Sequence, residues 1–272
     1  MKPQQSSMPH VIAILQARMG STRMPGKVLR ELVPGKSLLA CLVERLKQSE
    51  TLTEIVIATS DLEQDTPIER EAAALQVQCF RGSETDVLAR FVGAASVTAA
   101  GAEKSVIVRL CADSPLHDAE LVDLCLNAYL EKRDQVDYVS NMHPESFPYG
   151  TAVEVFPIDV LWRLDRLTND PQLREHVTSL VYHQPQLFRT ANVEHSRDLS
   201  AYRFAVDYPE DFDFARKIYE RLYKQNAQFS WLDVVNLLEE DKALLQINAV
   251  RNDRLQLADE PAGSNLHARP RL

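Results

Sequence analysis

The sequence of 272 residues has little of what marks a membrane, secreted or nucleic-acid-binding protein. It has four cysteines, none in a C-x-x-C pair, and no apolar run as long as a membrane span. Its net charge of −9 provides no basic excess for a nucleic-acid surface. The first ten residues lack the apolar core of a signal peptide. We therefore expect a cytoplasmic protein that binds neither nucleic acid nor membrane, with its cysteines as buried free thiols.

Several catalytic signatures are missing as well. The seven histidines form no H-E-x-x-H pair, and no Cys/His set has zinc spacing. There is no G-x-S-x-G nucleophile motif. An Asp-x-Asp spacing occurs at Asp211–Asp213, inside a predicted helix rather than after a strand. These absences argue against zinc hydrolysis and serine-nucleophile chemistry.

Short β-rich runs alternate with helical patterns through the first half of the chain, which predicts an α/β fold with a mostly parallel sheet covered on both faces. The predicted strands are Val11–Leu15, Glu54–Thr59, Val77–Phe80, Val106–Leu110 and Asp137–Val139. The predicted helices are Leu38–Gln48, Thr66–Leu75, Asp86–Ala99 and Ala119–Lys132, with Ser37 and Asp118 as N-caps.

The pattern changes after Ser140. A proline-rich stretch and the alternating run Thr151–Phe156 predict a loop and an extended arm. Further predicted helices are Asp159–Leu167, Arg174–Tyr182, Glu210–Lys224, Ser230–Leu238 and Leu244–Val250, with strands at Phe188–Val193 and Tyr202–Val206. We expect a main domain at 11–224, a small helical extension at 225–258, and flexible tails at 1–10 and 259–272.

The stretch QARMGSTRMPGK, Gln16–Lys27, follows the first strand and combines three basic side chains with glycines. Glycine lets a backbone approach a ligand, and Arg and Lys supply charge for phosphate. Five residues separate its glycines and valine follows the lysine, so it is not a Walker A loop. It holds no G-x-G-x-x-G either. The stretch predicts a nucleotide-phosphate site; the alternative is a basic surface loop without a ligand.

Two aspartates follow predicted strands. Asp113 comes after Val106–Leu110, and Asp207 comes after Tyr202–Val206. Carboxylates at the carboxyl ends of strands point into the crevice where open α/β sheets bind ligands. Such a pair is suited to Mg²⁺, which binds carboxylate and phosphate oxygens. Because a proline lies two residues after each aspartate, turn or helix-capping roles are the alternative.

These segments together resemble the sugar cytidylyltransferase family, most closely its SpsF-like spore-coat polysaccharide branch, and are similar to the acylneuraminate and KDO enzymes. The basic loop resembles the family signature, and VRLCADSP and VDYPEDFD are similar to its two metal-binding motifs. CFRGSETDVLARF, YGTAVEVF and REHVT resemble three further family segments. The chain departs from the family at Ala112 and Tyr149, where relatives usually carry Gly and Asp. A position that requires positive φ would strain Ala112.

The resemblance implies a Rossmann-like nucleotidyltransferase fold of the GT-A type, a three-layer sandwich with a dimerisation arm around Phe147–Phe156. It implies a homodimer that binds Mg²⁺ through Asp113 and Asp207. The implied catalytic residues are Lys27, Arg18, Asp113 and Asp207. The implied nucleotide-binding residues are Ala17, Arg18, Gly20, Ser21, Arg23, Lys27, Arg81, Ser83 and Asp86. The implied acceptor-binding residues are Glu154, Arg174, Glu175 and His176.

The function that follows from the resemblance is transfer of CMP from CTP to a sugar, expected to be acidic, with release of pyrophosphate for surface polysaccharide synthesis. Two alternatives stay open. A nucleotide-sugar glycosyltransferase would use a similar sheet, and Ala112 and Tyr149 could mark a non-catalytic nucleotide-binding relative. From the residues alone, Ser83 equally caps the helix after it, and Asp86 and Arg90 equally pair along that helix.

Overall fold

A computed structural model describes residues 9–98 and 105–252. The predicted tail at 259–272, the last residue of the predicted helix Asp86–Ala99, and nearly all of the predicted tail at 1–10 lie outside these residues. No helix in the described ranges is long and apolar enough to cross a membrane.

The sheet has seven strands in the order β5-β4-β1-β6-β8-β7-β9. The strands are β1 (Val11–Gln16), β4 (Glu54–Ser60), β5 (Gln78–Gly82), β6 (Val106–Cys111), β7 (Tyr138–Ser140), β8 (Glu154–Pro157) and β9 (Thr190–Asn192). A separate antiparallel pair contains β2 (Glu31–Val33) and β3 (Lys36–Ser37). Within the seven-stranded sheet, β8 runs antiparallel to both of its neighbours, and every other pairing is parallel. The mostly parallel sheet is confirmed.

Helices cover both faces of this sheet. They are α1 (Leu38–Leu46), α2 (Thr66–Ala74), α3 (Val87–Ser96), α4 (Ala119–Lys132), α5 (Ile158–Leu167), α6 (Pro171–Glu175), α7 (Ser179–His183), α8 (Pro209–Leu222) and α9 (Trp231–Glu240). Alternate residues of β1 enter different cores, since Val11 and Leu15 pack with α1 and α4 while Ile12 and Ile14 pack with α3 and α5. The three-layer sandwich is therefore confirmed.

The N-caps predicted for α1 and α4 are confirmed. Ser37 accepts a hydrogen bond from the Ala40 N–H, and Asp118 accepts one from the Leu121 N–H, each at 3.0 Å. These side chains satisfy backbone donors that a helix start leaves unpaired. The Asp211–Asp213 spacing falls in α8, as the sequence indicated.

The second half of the chain differs more from its prediction. The run Thr151–Phe156 is not an extended arm, because its end forms β8 between β6 and β7 and its apolar side chains are buried in the same chain. The predicted helix Arg174–Tyr182 is broken into α6 and α7 by Val177, whose φ of 54° lies in the left-handed region. Leu244–Val250 forms two 3₁₀ turns, Lys242–Gln246 and Ala249–Arg251, instead of one helix.

The predicted strand Tyr202–Val206 is wrong as well. Phe204 and Val206 are buried, which produces the alternation seen in the sequence. Their backbone, however, pairs with a loop instead of a strand: the Phe204 N–H donates to the Tyr149 carbonyl at 2.7 Å. Asp207 therefore follows an irregular segment that crosses the carboxyl end of the sheet.

Helix α9 packs into the same core as β1 and α8. Trp231, Val234 and Leu238 are buried there beside Ile218 and Tyr219 of α8. The domain boundary at residue 224 stays a prediction, and the last residues of the predicted extension, 253–258, lie outside the described ranges.

Candidate active site

The basic loop leaves β1 and ends in a tight turn at Gly26. Gly26 has a φ of 69°, and its N–H donates to the Met19 carbonyl at 2.9 Å. The buried Asp65 carboxylate accepts a 2.7 Å hydrogen bond from the Met19 N–H and fixes the loop's outer part. A left-handed φ favours glycine, which has no Cβ to clash there. This turn places Lys27 at the first position of a buried 3₁₀ turn, Lys27–Leu29.

The Lys27 side chain ends among three oxygens from two other parts of the chain. Its Nζ lies 2.9 Å from Asp113 Oδ2, 3.1 Å from Asp207 Oδ1 and 2.6 Å from the Val206 carbonyl oxygen. We call these three atoms the oxygen cradle. Burial alone would lower the pKa of Lys27, but the charges and hydrogen bonds of Asp113 and Asp207 outweigh it and raise that pKa above its ordinary value of 10.5. Lys27 is therefore a buried ammonium.

Asp113 reaches the cradle from the end of β6. The Ala112 N–H donates to the Gln16 carbonyl at 2.9 Å and continues the pairing of β6 with β1. Among the described non-glycine residues, positive φ occurs at Gln76 and Val177, so Ala112 carries no left-handed strain. The substitution of alanine for the usual glycine is accommodated.

Asp207 reaches the cradle from the irregular segment before α8. Its Oδ2 accepts a 3.1 Å hydrogen bond from Arg203, and its backbone N–H donates to Asp211 Oδ2 at 3.1 Å. Asp211 is buried and also binds Arg203 Nε at 2.9 Å and Asn248 at 3.2 Å. Burial would raise the pKa of Asp207, but Lys27 and then Arg203 outweigh it and hold that pKa below its ordinary value of 3.8.

One cleft of about 260 Å³ opens over the basic loop. It is lined by Gln16, Ala17, Arg18, Ser21, Thr22, Arg23, Lys27, Val28, Cys111, Asp113 and Asp207. We call it the basic cleft. Five of the six residues predicted from the loop and the two aspartates meet here. Exposed Arg23 also lies 3.8 Å from Asp207. Gly20 lies on another side of the loop, where an added Cβ would approach Gln64 Nε2 to 3.2 Å.

A second cleft of about 270 Å³ adjoins it. It is lined by Arg109, Cys111, Asp113, Ser114, Asn141, Met142, Glu145, Phe147, Pro148, Tyr149, Gly150, Thr151, Ala152, Glu154, Ala205 and Asp207. We call it the apolar cleft. Cys111, Asp113 and Asp207 belong to both clefts. The shared aspartates place the oxygen cradle at the junction of the two.

The apolar cleft contains an ion pair that the sequence did not predict. Arg109 on β6 lies opposite Glu154 on β8 in the sheet register and is hydrogen-bonded to it. Thr178 Oγ1 donates to the same carboxylate. Burial would lower the pKa of Arg109, but the charge of Glu154 outweighs it and raises that pKa. The signal available in the sequence was one charged residue within each of two apolar strands, VIVRLC and EVFP.

The second nucleotide segment predicted from sequence lines neither cleft. Arg81 is bound to Glu69 at 2.9 Å and to the Leu62 carbonyl at 2.8 Å. Ser83 Oγ accepts a 2.9 Å hydrogen bond from the Asp86 N–H. Asp86 is the N-cap of α3, accepting from the Ala89 N–H at 2.9 Å. The nucleotide-binding roles of Arg81, Ser83 and Asp86 stay predictions.

Of the four predicted acceptor residues, Glu154 lines the apolar cleft. Arg174 instead binds Asp86 at 2.8 Å and Asp165 at 2.6 Å, which joins α3, α5 and α6. Asp86 is therefore paired with Arg174 rather than with Arg90, whose Nη1 donates to the Ser83 carbonyl at 2.8 Å. Glu175 and His176 are exposed and line neither cleft.

A family model described as cytidylyltransferase matches residues 12–240. This chain belongs to the cytidylyltransferase family. The match includes both aspartates of the cradle and every strand of the seven-stranded sheet. Only the first residue of β1, Val11, lies outside it.

Curated relatives of this cytidylyltransferase agree with that assignment. It is 36% identical over 221 residues to spore coat polysaccharide biosynthesis protein SpsF of Bacillus subtilis, covering 79% of this chain and 88% of the relative. It is 33% identical over 121 residues to a 3-deoxy-manno-octulosonate cytidylyltransferase of Anaeromyxobacter dehalogenans, covering 44% of this chain and 48% of the relative.

Solved structures support the fold. A cytidylyltransferase from Leptospira borgpetersenii matches with a TM-score of 0.81 and 29% identity, over 88% of this chain and 97% of that one. CMP:2-keto-3-deoxy-manno-octonic acid synthetase complexed with CTP matches with a TM-score of 0.59 and 18% identity, over 78% of this chain and 99% of that one. The nucleotidyltransferase fold expected from the sequence is confirmed.

The oxygen cradle provides a test of whether a divalent cation fits this cytidylyltransferase. All three of its atoms are hard oxygens, the ligand type that Mg²⁺ prefers, and they already surround a positive charge. No group of three or more His, Cys, Asp or Glu side chains with metal-site geometry occurs within 9–98 and 105–252. The donor set fits Mg²⁺ held by two carboxylates together with substrate phosphate.

Proposed function

We propose that this cytidylyltransferase transfers CMP from CTP to a sugar hydroxyl and releases pyrophosphate, for the synthesis of a surface polysaccharide. The observation that carries the proposal is the placement of Lys27, Asp113 and Asp207 at the junction of the basic cleft and the apolar cleft. A reaction that joins a triphosphate to a second substrate requires two adjoining sites with charged groups between them. Family membership and the relationship to SpsF support the same reaction.

The basic cleft binds the triphosphate in this proposal. Arg18, Arg23 and Lys27 lie along one side of it, and Ser21 contributes a hydroxyl. Phosphoryl transfer depends on positioning and on neutralising charge, because the reacting phosphorus needs little covalent help. The three cations stabilise the charge that develops on the leaving pyrophosphate.

The sugar binds in the apolar cleft. Its hydroxyl oxygen attacks the α-phosphorus in line, and the bond from that phosphorus to the β-phosphate bridging oxygen breaks. Pyrophosphate leaves with the bond's electrons, and the hydroxyl proton passes to solvent water. Asp113 and Asp207 border both clefts, so their carboxylates orient the hydroxyl toward phosphorus. We propose that these two residues hold Mg²⁺, which supplies Lewis-acid charge at the phosphate oxygens.

We further propose an acidic sugar as the acceptor, with a homodimeric enzyme working in the cytoplasm. The names of the 3-deoxy-manno-octulosonate cytidylyltransferase relatives support the acidic class. Arg109 lines the apolar cleft and supplies a guanidinium there, although Glu154 binds it in this structure. Sedimentation velocity and cell fractionation test the oligomeric state and the location.

The deciding experiment is a pyrophosphate-release screen of the four nucleoside triphosphates against sugars in matched pairs, each acid beside its uncharged alcohol or amino analogue. We expect release with CTP and an acid, in the presence of Mg²⁺. Release with uncharged sugars instead would remove the acidic class and leave cytidylyl transfer intact. Binding of CTP without release for any sugar would contradict the proposal and favour a non-catalytic protein, and transfer from a nucleotide-sugar would favour a glycosyltransferase.

A further inference from the structure

The oxygen cradle is filled by an ammonium group of the protein itself. Lys27 Nζ donates toward three oxygens, and an ammonium has three N–H donors. The residue is 7% exposed, so little of this arrangement faces water. The position between the two carboxylates is therefore occupied by a cation of the chain itself.

A divalent cation held by Asp113 and Asp207 would use carboxylate oxygens that the Lys27 ammonium already occupies. Two positive charges a few ångströms apart in a partly buried site repel each other strongly. Two more positive charges lie close to Asp207: Arg203 is 3.1 Å and Arg23 is 3.8 Å from its Oδ2. The cradle thus favours either the Lys27 ammonium or a divalent cation, and disfavours both together.

Lys27 has another partner available to it. The residue lines the basic cleft, in which Arg18, Ser21 and Arg23 surround the space assigned to the triphosphate. Lysine carries its charge on a flexible four-carbon stem, so a small rotation changes the group that the ammonium contacts. A triphosphate in the basic cleft would attract it away from the carboxylates.

We propose that Lys27 and a divalent cation compete for the oxygen cradle, and that nucleotide phosphate, by taking the ammonium, opens the cradle to the cation. The inference rests on the proposed function for the identity of the nucleotide. It assigns Lys27 a second role besides phosphate binding: in the free protein its single charge bridges Asp113 and Asp207 and competes with metal for them. Metal and nucleotide are then expected to bind cooperatively.

The test is direct metal binding to the nucleotide-free protein, with Mn²⁺ measured by electron paramagnetic resonance. Lys27→Met removes the competing charge and keeps a side chain of similar length. We expect it to bind Mn²⁺ about tenfold more tightly than the unmodified chain, the size of change that altered partners of a metal site produce. Lys36→Met is the matched control, because Lys36 contacts Glu44 and Tyr223 outside both clefts. Equal or weaker Mn²⁺ binding by folded Lys27→Met would overturn the proposal.

A second measurement uses the unmodified chain and does not depend on the variant folding. Acylation of lysines is followed by peptide mass spectrometry as Mn²⁺ is added without nucleotide. Competition predicts that labelling of Lys27 rises along the Mn²⁺ binding curve while labelling of Lys36 stays constant. Saturation with Mn²⁺ while Lys27 remains protected would contradict competition.

The two proposals fail separately. Pyrophosphate release with unchanged Mn²⁺ affinity in Lys27→Met would keep the proposed reaction and remove the competition. Tighter Mn²⁺ binding in the variant, with no release from any nucleotide and sugar, would keep the competition and remove the reaction.

Discussion

The basic cleft and the apolar cleft are built differently, although they share the oxygen cradle. The basic cleft is formed largely by one continuous stretch, Gln16–Lys27, so its residues are neighbours in the sequence. The apolar cleft is assembled from β6, β8, the loop at 141–152 and the segment before α8. A site on one stretch can be recognised as a motif, whereas a site assembled from several segments depends on pairings that only the fold creates.

The largest expected effect is on the basic side. Lys27→Ala removes the ammonium at the junction of the clefts, and we expect kcat to fall about 10²- to 10³-fold, as when a transition-state donor is lost. Pyrophosphate release under saturating CTP measures it. Lys36→Ala is the control and should retain full turnover. Unchanged turnover in a folded Lys27→Ala protein would break the assignment of the basic cleft to the triphosphate.

The next effect concerns the pH dependence of stability, through a histidine that lines neither cleft. His117 is buried at the start of α4, and burial is the main cause that lowers its pKa to about 4. The folded chain therefore keeps His117 neutral at pH values at which the unfolded chain already binds a proton there. This makes the contribution of His117 to stability complete above the unfolded pKa of 6.5, and the contribution is lost as the pH falls from 6.5 toward 4. The shift corresponds to about 3 kcal/mol.

Urea unfolding between pH 7 and pH 4 measures this loss. Asp207 also has a lowered pKa, but its contribution is present above 3.8 and is lost only below that value. The ion pair between Lys27 and Asp207 should therefore persist across the pH range in which His117 titrates. A His117→Gln variant should flatten the pH dependence, and an unaltered slope in that variant would show that another group titrates.

A third test concerns Arg174, which the sequence assigned to the acceptor. Its ion pairs with Asp86 and Asp165 indicate that Arg174→Met should lower stability by about 1–3 kcal/mol, the cost of lost hydrogen bonds to charged groups. We expect the KM for the sugar to stay unchanged. Thermal unfolding and acceptor titration measure the two quantities, with exposed Arg166→Met as the control on the neighbouring helix. A raised KM at unchanged stability would restore the acceptor role.

The smallest effect comes from outside the family match, which ends at residue 240. Asn248 is buried and binds Asp211 at 3.2 Å, and Asp211 in turn fixes the Asp207 backbone and Arg203. If Asp207 holds metal as proposed, Asn248→Ala should lower kcat by at most about tenfold, the lower limit for residues that orient metal ligands. The exposed Asn236→Ala is the control. A raised KM for CTP with normal kcat would show that Asn248 acts on binding instead of on Asp207.

The sequence predicted the parallel half of the fold well because its central strands are apolar and because α1, α3 and α4 begin at side-chain caps. β1, β4, β6 and α4 lie within a residue or so of their predicted bounds. It failed at Tyr202–Val206, where alternation reflected burial against a loop instead of a sheet ladder. Local pattern reports which side chains are buried, and it does not report what the backbone pairs with.

The candidate site shows the same limit. Lys27, Asp113 and Asp207 were each recognisable, but their contact depends on a turn at Gly26 and on the segment before α8. The Arg109–Glu154 pair requires β8 to lie antiparallel beside β6, which no local signal encodes. Arg174 carries a recognisable motif, yet its partners come from α3 and α5.

The loop at Gly150 has a consequence for how such an enzyme can change its acceptor over evolution or by engineering. An added Cβ at Gly150 would lie 2.3 Å from the Ala205 backbone nitrogen, and the Tyr149 and Phe204 backbones are hydrogen-bonded. The wall of the apolar cleft is thus fastened to the segment that carries Asp207. Under the proposed placement of the sugar in this cleft, substitutions that reshape this wall are expected also to displace a carboxylate of the cradle. New acceptor specificity is then more accessible through Met142, on another part of the cleft.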